Sequence, residues 1–308
     1  TDIKQLIELT NQVKPSLFLF LAKEMFNKGQ IEGKLKVNFD SAGKIKDDYK
    51  IIGSIFNFDA KILKKFNINK VNAKFELFKN NYSFYIVKGN INDIDLANSE
   101  FEINKENKNL NVKANLVSRA NLKNIQSTLD LFQINLLEAK VDKSEISFDL
   151  KSSLSFQLEK YIKIKNLKAD GNGKIHLLNI QHKIDTSKLK EIFTNYNDSF
   201  QIADSEIKFS LDSNKQDIEL KGLINLTNEY ENFQSKVIFD KKKNNTDFDA
   251  KININSSIIR LPNLNYKKEA NDQASLRFKG NRKKNEGYNF EVVEFKESNN
   301  LILIKDIE

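Results

Sequence analysis

The sequence predicts a mainly β protein: a long antiparallel meander with two short helical segments, whose sheet either folds on itself as a sandwich or barrel or curls into an open groove of the β-taco kind. Three observations carry this expectation. First, apolar and polar residues alternate at period two from about residue 30 to residue 304. Val71, Ala73, Phe75 and Leu77 face one way and Asn72, Lys74 and Glu76 the other. The same alternation sets Leu110, Val112, Ala114 and Leu116 against Asn111, Lys113 and Asn115, and Phe248, Ala250, Ile252 and Ile254 against Asp249, Lys251 and Asn253. A sheet with one dry and one wet face has this pattern. Second, strand and turn together recur about every 10–14 residues, so strands adjacent in sequence are adjacent in the sheet. Third, only two stretches have helical spacing, too little to cover the apolar face of so many strands.

The elements follow in order. Residues 3–28 read as helix, with Ile3, Leu6, Ile7 and Leu9, then Phe18, Leu21, Ala22 and Met25, at helical spacing. Pro15 predicts a bend within it, and Gly29 closes it. Strands are predicted at about 30–39, 44–62, 70–79, 82–91, 93–104, 109–118, 127–141, 145–150, 153–158 and 161–169. Ser41-Ala42-Gly43 turns the first pair, and Asp170-Gly171-Asn172-Gly173 reads as a hairpin leading into a strand at 173–183. Leu189, Ile192, Phe193 and Tyr196 predict a second helix at 186–197. Strands resume near 204–213, 216–227, 232–240, 246–254, 256–260, 273–281, 287–296 and 300–306. The organisation is a helical lead-in (1–28), a first β-groove segment (29–185), a helix (186–199) and a second β-groove segment (200–308). We read these as one continuous module belonging to a longer protein.

Composition narrows the function classes. The chain has 308 residues and a formal charge of +8, with no cysteine and no tryptophan. A disulfide framework, a thiol nucleophile and a cysteine metal site are therefore excluded. Its two prolines and ten glycines leave most turns to Asn and Asp, which tolerate left-handed backbone. The basic balance points to an anionic partner. The lysines are spread over the polar faces of nearly every strand, without the concentrated stripe of a nucleic-acid binder, so nucleic acid is not expected. Phospholipid headgroups are the alternative anion. The apolar run Leu17–Ala22 is far shorter than the roughly 20 residues that cross a bilayer.

No stretch carries the spacing of an active site. There is no nucleophile elbow, no phosphate loop and no dinucleotide fingerprint. His176 and His182, the only histidines, lack the further ligands a metal needs. Asp212-Ser213-Asn214, with Asp217 and Glu219 beyond it, reads as a hairpin turn, since the full calcium ladder is missing. No catalytic residue, metal or cofactor is therefore assigned, and an enzyme is not expected.

What remains is the apolar stripe. It closes on itself as the core of a β-sandwich, faces lipid in an open groove, or belongs to an outer-membrane barrel. The barrel suits least, because aromatic girdles are missing and Phe sits mid-strand.

Two passages bear on the choice. One is Gly29-Gln30-Ile31-Glu32-Gly33-Lys34-Leu35-Lys36-Val37-Asn38-Phe39-Asp40, followed by Gly43-Lys44-Ile45 and a strand carrying Ile51, Gly53, Ile55 and Phe58. The other is Ile259-Arg260-Leu261-Pro262-Asn263-Leu264-Asn265-Tyr266-Lys267-Lys268, continuing into Ala274-Ser275-Leu276-Arg277-Phe278-Lys279-Gly280. The second resembles a passage of the AsmA-like superfamily, especially its YhdP-type members. The resemblance implies a long curled β-sheet forming a hydrophobic trough across the periplasm of Gram-negative bacteria. It also implies anchorage in the inner membrane by a helix outside this segment, and a role in moving phospholipid towards the outer membrane. The implied partners are phospholipid acyl chains, with the inner and outer membranes reached through parts of the protein not present here. On that reading the lipid lies along Ile31, Leu35, Val37, Phe39, Phe75, Leu77, Phe101 and Val112. The stripe continues through Phe209, Leu220, Phe248, Ile252, Leu276 and Phe278.

Overall fold

The structure is a computed structural model, and it describes residues 1–13, 23–44, 46, 50–62, 66–106, 109–123, 144–159, 163–181, 187–197, 199–227, 229–283 and 287–307. The protein is mainly β, as alternation predicts. Among the described residues, sixteen strands form one sheet and two more make a separate hairpin. The chain divides into two compact units, Thr1–Ala120 with Leu150–Lys168, and Asn121–Asp149 with Ala169–Glu308.

The first unit opens with helix α1 (Ile3–Val13). Asp2 caps it: its carboxylate accepts the Lys4 N–H at 2.8 Å and the Gln5 N–H at 3.2 Å, satisfying donors that a helix start leaves free. Ile3 and Ile7, one turn apart, are buried against Phe26, Ile31, Ile55 and Phe58. Then come β1 (Phe26–Lys36), β2 (Lys50–Ile62), β3 (Phe66–Phe78), β4 (Asn81–Ile91), β5 (Ile94–Asp95), β6 (Ser99–Glu106) and β7 (Asn109–Leu122). They pair antiparallel in sequence order, except that β6 pairs with both β4 and β7 while β5 occupies the end of the same gap.

Bulges break these long strands side by side. Register shifts fall at Phe26–Gln30 between β1 and β2, at Ile55–Ala60 between β2 and β3, and at Asn69–Ala73 between β3 and β4. Asn57 (φ 47°) and Lys70 (φ 53°) sit there in the left-handed region. Side chains take up their backbone donors: the Asn57 N–H donates to Asn72 Oδ1 at 2.8 Å, and the Lys70 N–H to Asp59 Oδ1 at 2.6 Å. A bulge bends its strand and sharpens the local twist, so bulges in adjacent strands bend the sheet of this unit at that level.

Strands β8 (Glu145–Glu159) and β9 (Lys163–Gln181) are each divided between the units, and from Ala169 onward the chain belongs to the second unit. It continues with α2 (Ser187–Ile192), β10 (Ser199–Leu211), β11 (Lys215–Asn225), β12 (Tyr230–Asp240) and β13 (Asn245–Asn253). An excursion follows: β14 (Ile259–Leu261), a 3-10 turn at Pro262–Leu264 and β15 (Tyr266–Lys268), the two strands pairing with each other as a separate two-stranded sheet. The meander resumes with β16 (Ala274–Lys283) beside β13, then β17 (Gly287–Glu297) and β18 (Asn300–Ile307).

Several expectations need correction. Asp170-Gly171-Asn172-Gly173 is not a hairpin. β9 runs straight through it, with Gly171 paired to Phe209 and Gly173 to Ile207. Glycine in a strand marks room for a large neighbour as readily as it marks a turn. The predicted strands 145–150 and 153–158 are one strand, β8. The predicted strand 93–104 is broken into β5 and β6 around Asn98 (φ 67°). The first helix is described over Ile3–Val13 and again at residues 23–25, and Phe26–Gly29 already belong to β1. The expected bend at Pro15 and the strand at 127–141 lie outside the described residues. The turn at Ser41-Ala42-Gly43 is present, with the Asp40 carboxylate accepting the Ala42 and Lys44 N–H groups at 2.9 and 2.8 Å.

Gly53 shows why one strand position admits no side chain. A Cβ there would lie 2.1 Å from the Glu32 carbonyl oxygen and 2.6 Å from Phe75 Cζ. The Phe75 ring lies against the paired Gly33 and Gly53 and fills the space they leave. Gly53→Val should therefore destabilise the protein by about 1–3 kcal/mol through overpacking, read as a lower urea midpoint at unchanged slope.

Candidate functional site

Directly opposed residues in an antiparallel pair share a face, so the registers can be followed across the sheet row by row. In the first unit, one row runs Ile31, Ile55, Ala73, Ile86. The next runs Gly33, Gly53, Phe75, Phe84, Phe101, Ala114. A third runs Leu35, Ile51, Leu77, Tyr82, Ile103, Val112. Six residues expected on the stripe, Ile31, Leu35, Phe75, Leu77, Phe101 and Val112, thus share one apolar face. Phe75 and Val112 are buried in it, while Leu35, on the edge strand, is 63% exposed. Val37 and Phe39 lie past the end of β1, and Phe39 is exposed.

The second unit repeats the arrangement. Phe209, Ile218, Val237, Phe248 and Gly280 form one row. Ile207, Leu220, Ser235, Ala250, Phe278, Val293 and Ile304 form the next. Gly222, Phe233, Ile252, Leu276, Phe295 and Ile302 form a third. All six stripe residues expected here, Phe209, Leu220, Phe248, Ile252, Leu276 and Phe278, lie on this face.

The face has two different ends. At one, the β14–β15 hairpin and α2 form a cap. Phe193, just after α2, makes a β-bridge to Ile259, and Ile192, Phe193, Leu261 and Tyr266 pack on a buried cluster of Ile202, Ile224, Phe233, Ile252, Ile254, Ile259, Ala274 and Phe295. Ile252 therefore belongs to a sealed core. At the other end lies an aromatic group in which the Phe248 ring is 5.6 Å from Phe290, 6.2 Å from Phe278 and 6.3 Å from Tyr288. Exposure there is substantial: 36% at Val237 and 46% at Tyr288, with Phe209 and Phe248 half-buried.

A fully buried lysine fastens the cap. The Lys268 ammonium donates to the carbonyls of Asn255 at 2.7 Å, Ser257 at 2.9 Å and Glu269 at 2.8 Å. Burial pushes its pKa down, against the opposing pull of Asp272, Glu297 and Glu231. Beside it the Tyr266 hydroxyl donates to the Glu297 carboxylate, and burial together with that bond raises the tyrosine pKa well above its ordinary value. These groups have their partners and hold the hairpin down; none is free for chemistry.

The opposite face of the second unit is polar and carries its charges in opposed pairs. Glu219 meets Lys236 at 2.6 Å, Asp249 takes a two-pronged contact from Arg277 at 2.9 and 3.1 Å, and Lys279 meets Glu291 at 2.6 Å. Lys236 holds the Glu219 carboxyl below its usual range, and Arg277 does the same for Asp249. Glu219, Lys236, Asp249 and Arg277 line a depression of about 620 Å³ that also includes Lys208, Lys221 and Lys251. Among the described residues, no three of His, Asp and Glu come together as a metal site. His176 Nε2 contacts the Asp149 carboxylate at 3.1 Å, and His182 lies outside the described residues. No described helix is long and apolar enough to cross a membrane.

Sequence reasoning missed Tyr288 and Phe290, although their alternation was available to it, and it missed the cap. A lysine beside a strand end, such as Lys268, gives no sign in sequence that it will be buried. The chain matches no family model, no curated protein and no solved structure.

Two measurements check this account. Lys268→Ala removes the ammonium from three carbonyls, of which Asn255 keeps the Asn271 N–H, and should cost about 2–4 kcal/mol, with hydrogen exchange accelerated first in residues 255–269. The Asp249 pKa is depressed in the folded state, so its contribution is complete above the ordinary carboxyl value of 3.8 and is lost as pH falls through the lower folded value. Both partners are about two-fifths exposed, at 39% and 43%, so solvent screening keeps the contribution below about 1 kcal/mol. Asp249→Asn should lower stability near neutral pH by up to that amount, leave stability at low pH almost unchanged, and so flatten the acid limb of the stability–pH curve.

Proposed function

We propose that the apolar face binds phospholipid acyl chains, and that the protein acts as a segment of a bridge-like conduit moving phospholipid between the inner and outer membranes of a cell envelope. The observation that carries this reading is the open half of the second unit. There an apolar row crosses β10 to β13 and ends in the Phe248, Phe278, Tyr288 and Phe290 rings, with exposure at Val237 and Tyr288. The resemblance to AsmA-like proteins supplies the compartment and the direction of the proposal.

Solvent substitution supplies the physical mechanism. Each methylene costs about 0.8 kcal/mol to expose to water, so a sixteen-carbon tail costs on the order of 12 kcal/mol. A face whose apolar rows continue from strand to strand removes much of that cost at each position, so an acyl chain slides between similar environments. No catalytic group is required. The lysines of the polar face keep the protein in water and take no part in the binding.

A closed β-sandwich of the cell envelope is the competing reading, and the cap core around Ile252 is the observation that favours it locally. The two readings separate at Phe248, which lies beyond that core. Native mass spectrometry with organic extraction should find phospholipid on the purified protein. Phe248→Asp should abolish the bound lipid while leaving the unfolding midpoint close to that of the parent. A lipid-free parent, or a Phe248→Asp variant that unfolds as a buried charge would make it, counts against the conduit.

A further inference from the structure

We infer that the turn end of the second unit docks on an anionic phospholipid membrane surface, through the lysines of the β12–β13 turn and their neighbours. The inference rests on the lipid reading above for the identity of the partner, but it stands on different residues.

Two turns, at residues 212–214 and 241–244, lie side by side at this end with the adjoining ends of β16 and β17, because Leu211 pairs with Gln216, Asp240 with Lys215 and Asn245, and Lys283 with Asn245 and Gly287. They gather Lys215, Lys241, Lys242, Lys243, Arg282 and Lys283. All but Arg282 are exposed. In the two turns, the Asp212 and Asp240 carboxylates accept backbone N–H groups of their own turns. Asp212 Oδ1 accepts the Asn214 and Lys215 N–H groups at 2.6 and 2.7 Å, and Asp240 Oδ1 accepts those of Lys242 and Lys243 at 2.9 and 3.1 Å. The Lys241 N–H donates to the Asn214 carbonyl at 2.7 Å, joining the first turn to the second. The cations are thus presented on an ordered rim.

Two further observations distinguish this rim from an ordinary solvated surface. It borders the open end of the apolar face: Arg282 is opposed to Thr246 and Tyr288, in the row next to Phe248, and its guanidinium lies 5.2 Å over the Tyr288 ring. The capped end is balanced instead: Glu269 pairs with Lys267 at 2.6 Å, and Glu231, Asp272 and Glu297 act on Lys268, which is sealed inside. A cationic rim beside exposed aromatic rings suits a headgroup layer, where phosphates meet the lysines and the rings reach the acyl boundary.

The test is flotation of the full chain with phosphatidylcholine vesicles, with and without phosphatidylglycerol. Binding should need the anionic lipid and weaken with salt. Each lysine near such a surface is worth about fivefold, so a Lys241→Gln/Lys242→Gln/Lys243→Gln variant should lose roughly a hundredfold in affinity. A Lys208→Gln/Lys221→Gln/Lys251→Gln variant on the strand face, with the same change of charge, should lose little. Equal losses in the two variants would mean that diffuse charge is at work and would overturn the inference. So would absence of binding to the anionic vesicles, displacement by inorganic phosphate at matched ionic strength, or preference for a DNA oligonucleotide through the same three lysines. Vesicle binding by a protein that carries no acyl chain would leave this inference standing and sink the conduit. Acyl loading without vesicle binding would do the reverse.

Discussion

Strand register is the constraint on which everything else depends. Because side chains alternate, a slip of one residue in any pairing would move that strand's apolar set to the wet side. The chain holds register from both faces. On the dry side, large residues lie over glycines, as Phe75 does over Gly33 and Gly53. On the wet side, opposed charges such as Glu219 with Lys236 meet in the register seen, whereas a slip of one residue would set Lys236 against Ile218 or Leu220. Each surface pair contributes little to stability. Their value is in discriminating against wrong pairings, which a uniformly apolar face cannot do alone.

The cap solves a different problem. A sheet face that continues apolar to its end leaves the last rows exposed to water, and the chain interrupts its meander between β13 and β16 to cover one end. That excursion has almost no ladder of its own, only Ile259–Leu261 against Tyr266–Lys268. It is held by Lys268 bonding to three carbonyls, by Tyr266 bonding to Glu297 and by the bridge from Phe193 to Ile259. Polar fastening of an apolar lid lets the same face be sealed in one half and open in the other. In the first unit α1 covers part of the face in the same sense, with Ile3 and Ile7 resting beside the bulges.

Much of this was legible in sequence, and the parts that were not share a cause. Period-two alternation located nearly every strand of the meander and placed twelve of the fourteen stripe residues on the shared faces, since that periodicity is local. Val37 and Phe39 fell outside because the end of a strand depends on its partner's length. Gly171 and Gly173 misled because glycine signals either a turn or a space for Phe209 and Ile207, and the choice is made by a strand some forty residues away. Bulges at Asn57 and Lys70 are set by Asn72 and Asp59 across the ladder. The burial of Lys268 depends on carbonyls supplied by a loop. Each failure concerns a non-local partner.

The pairing order has a consequence for how such a chain grows and fails. In the meander of the second unit each strand touches mainly its two neighbours, so cohesion is carried from strand to strand, as in repeat proteins, and does not depend on one central knot of contacts. Damage to one hairpin should loosen its neighbours and fade with distance. Duplication is cheap for the same reason. Inserting a single strand would reverse the direction of every strand after it, whereas inserting a hairpin preserves both direction and the side on which apolar residues fall. The natural unit of inheritance in a sheet of this kind is the pair, and its width can lengthen or shorten over generations two strands at a time.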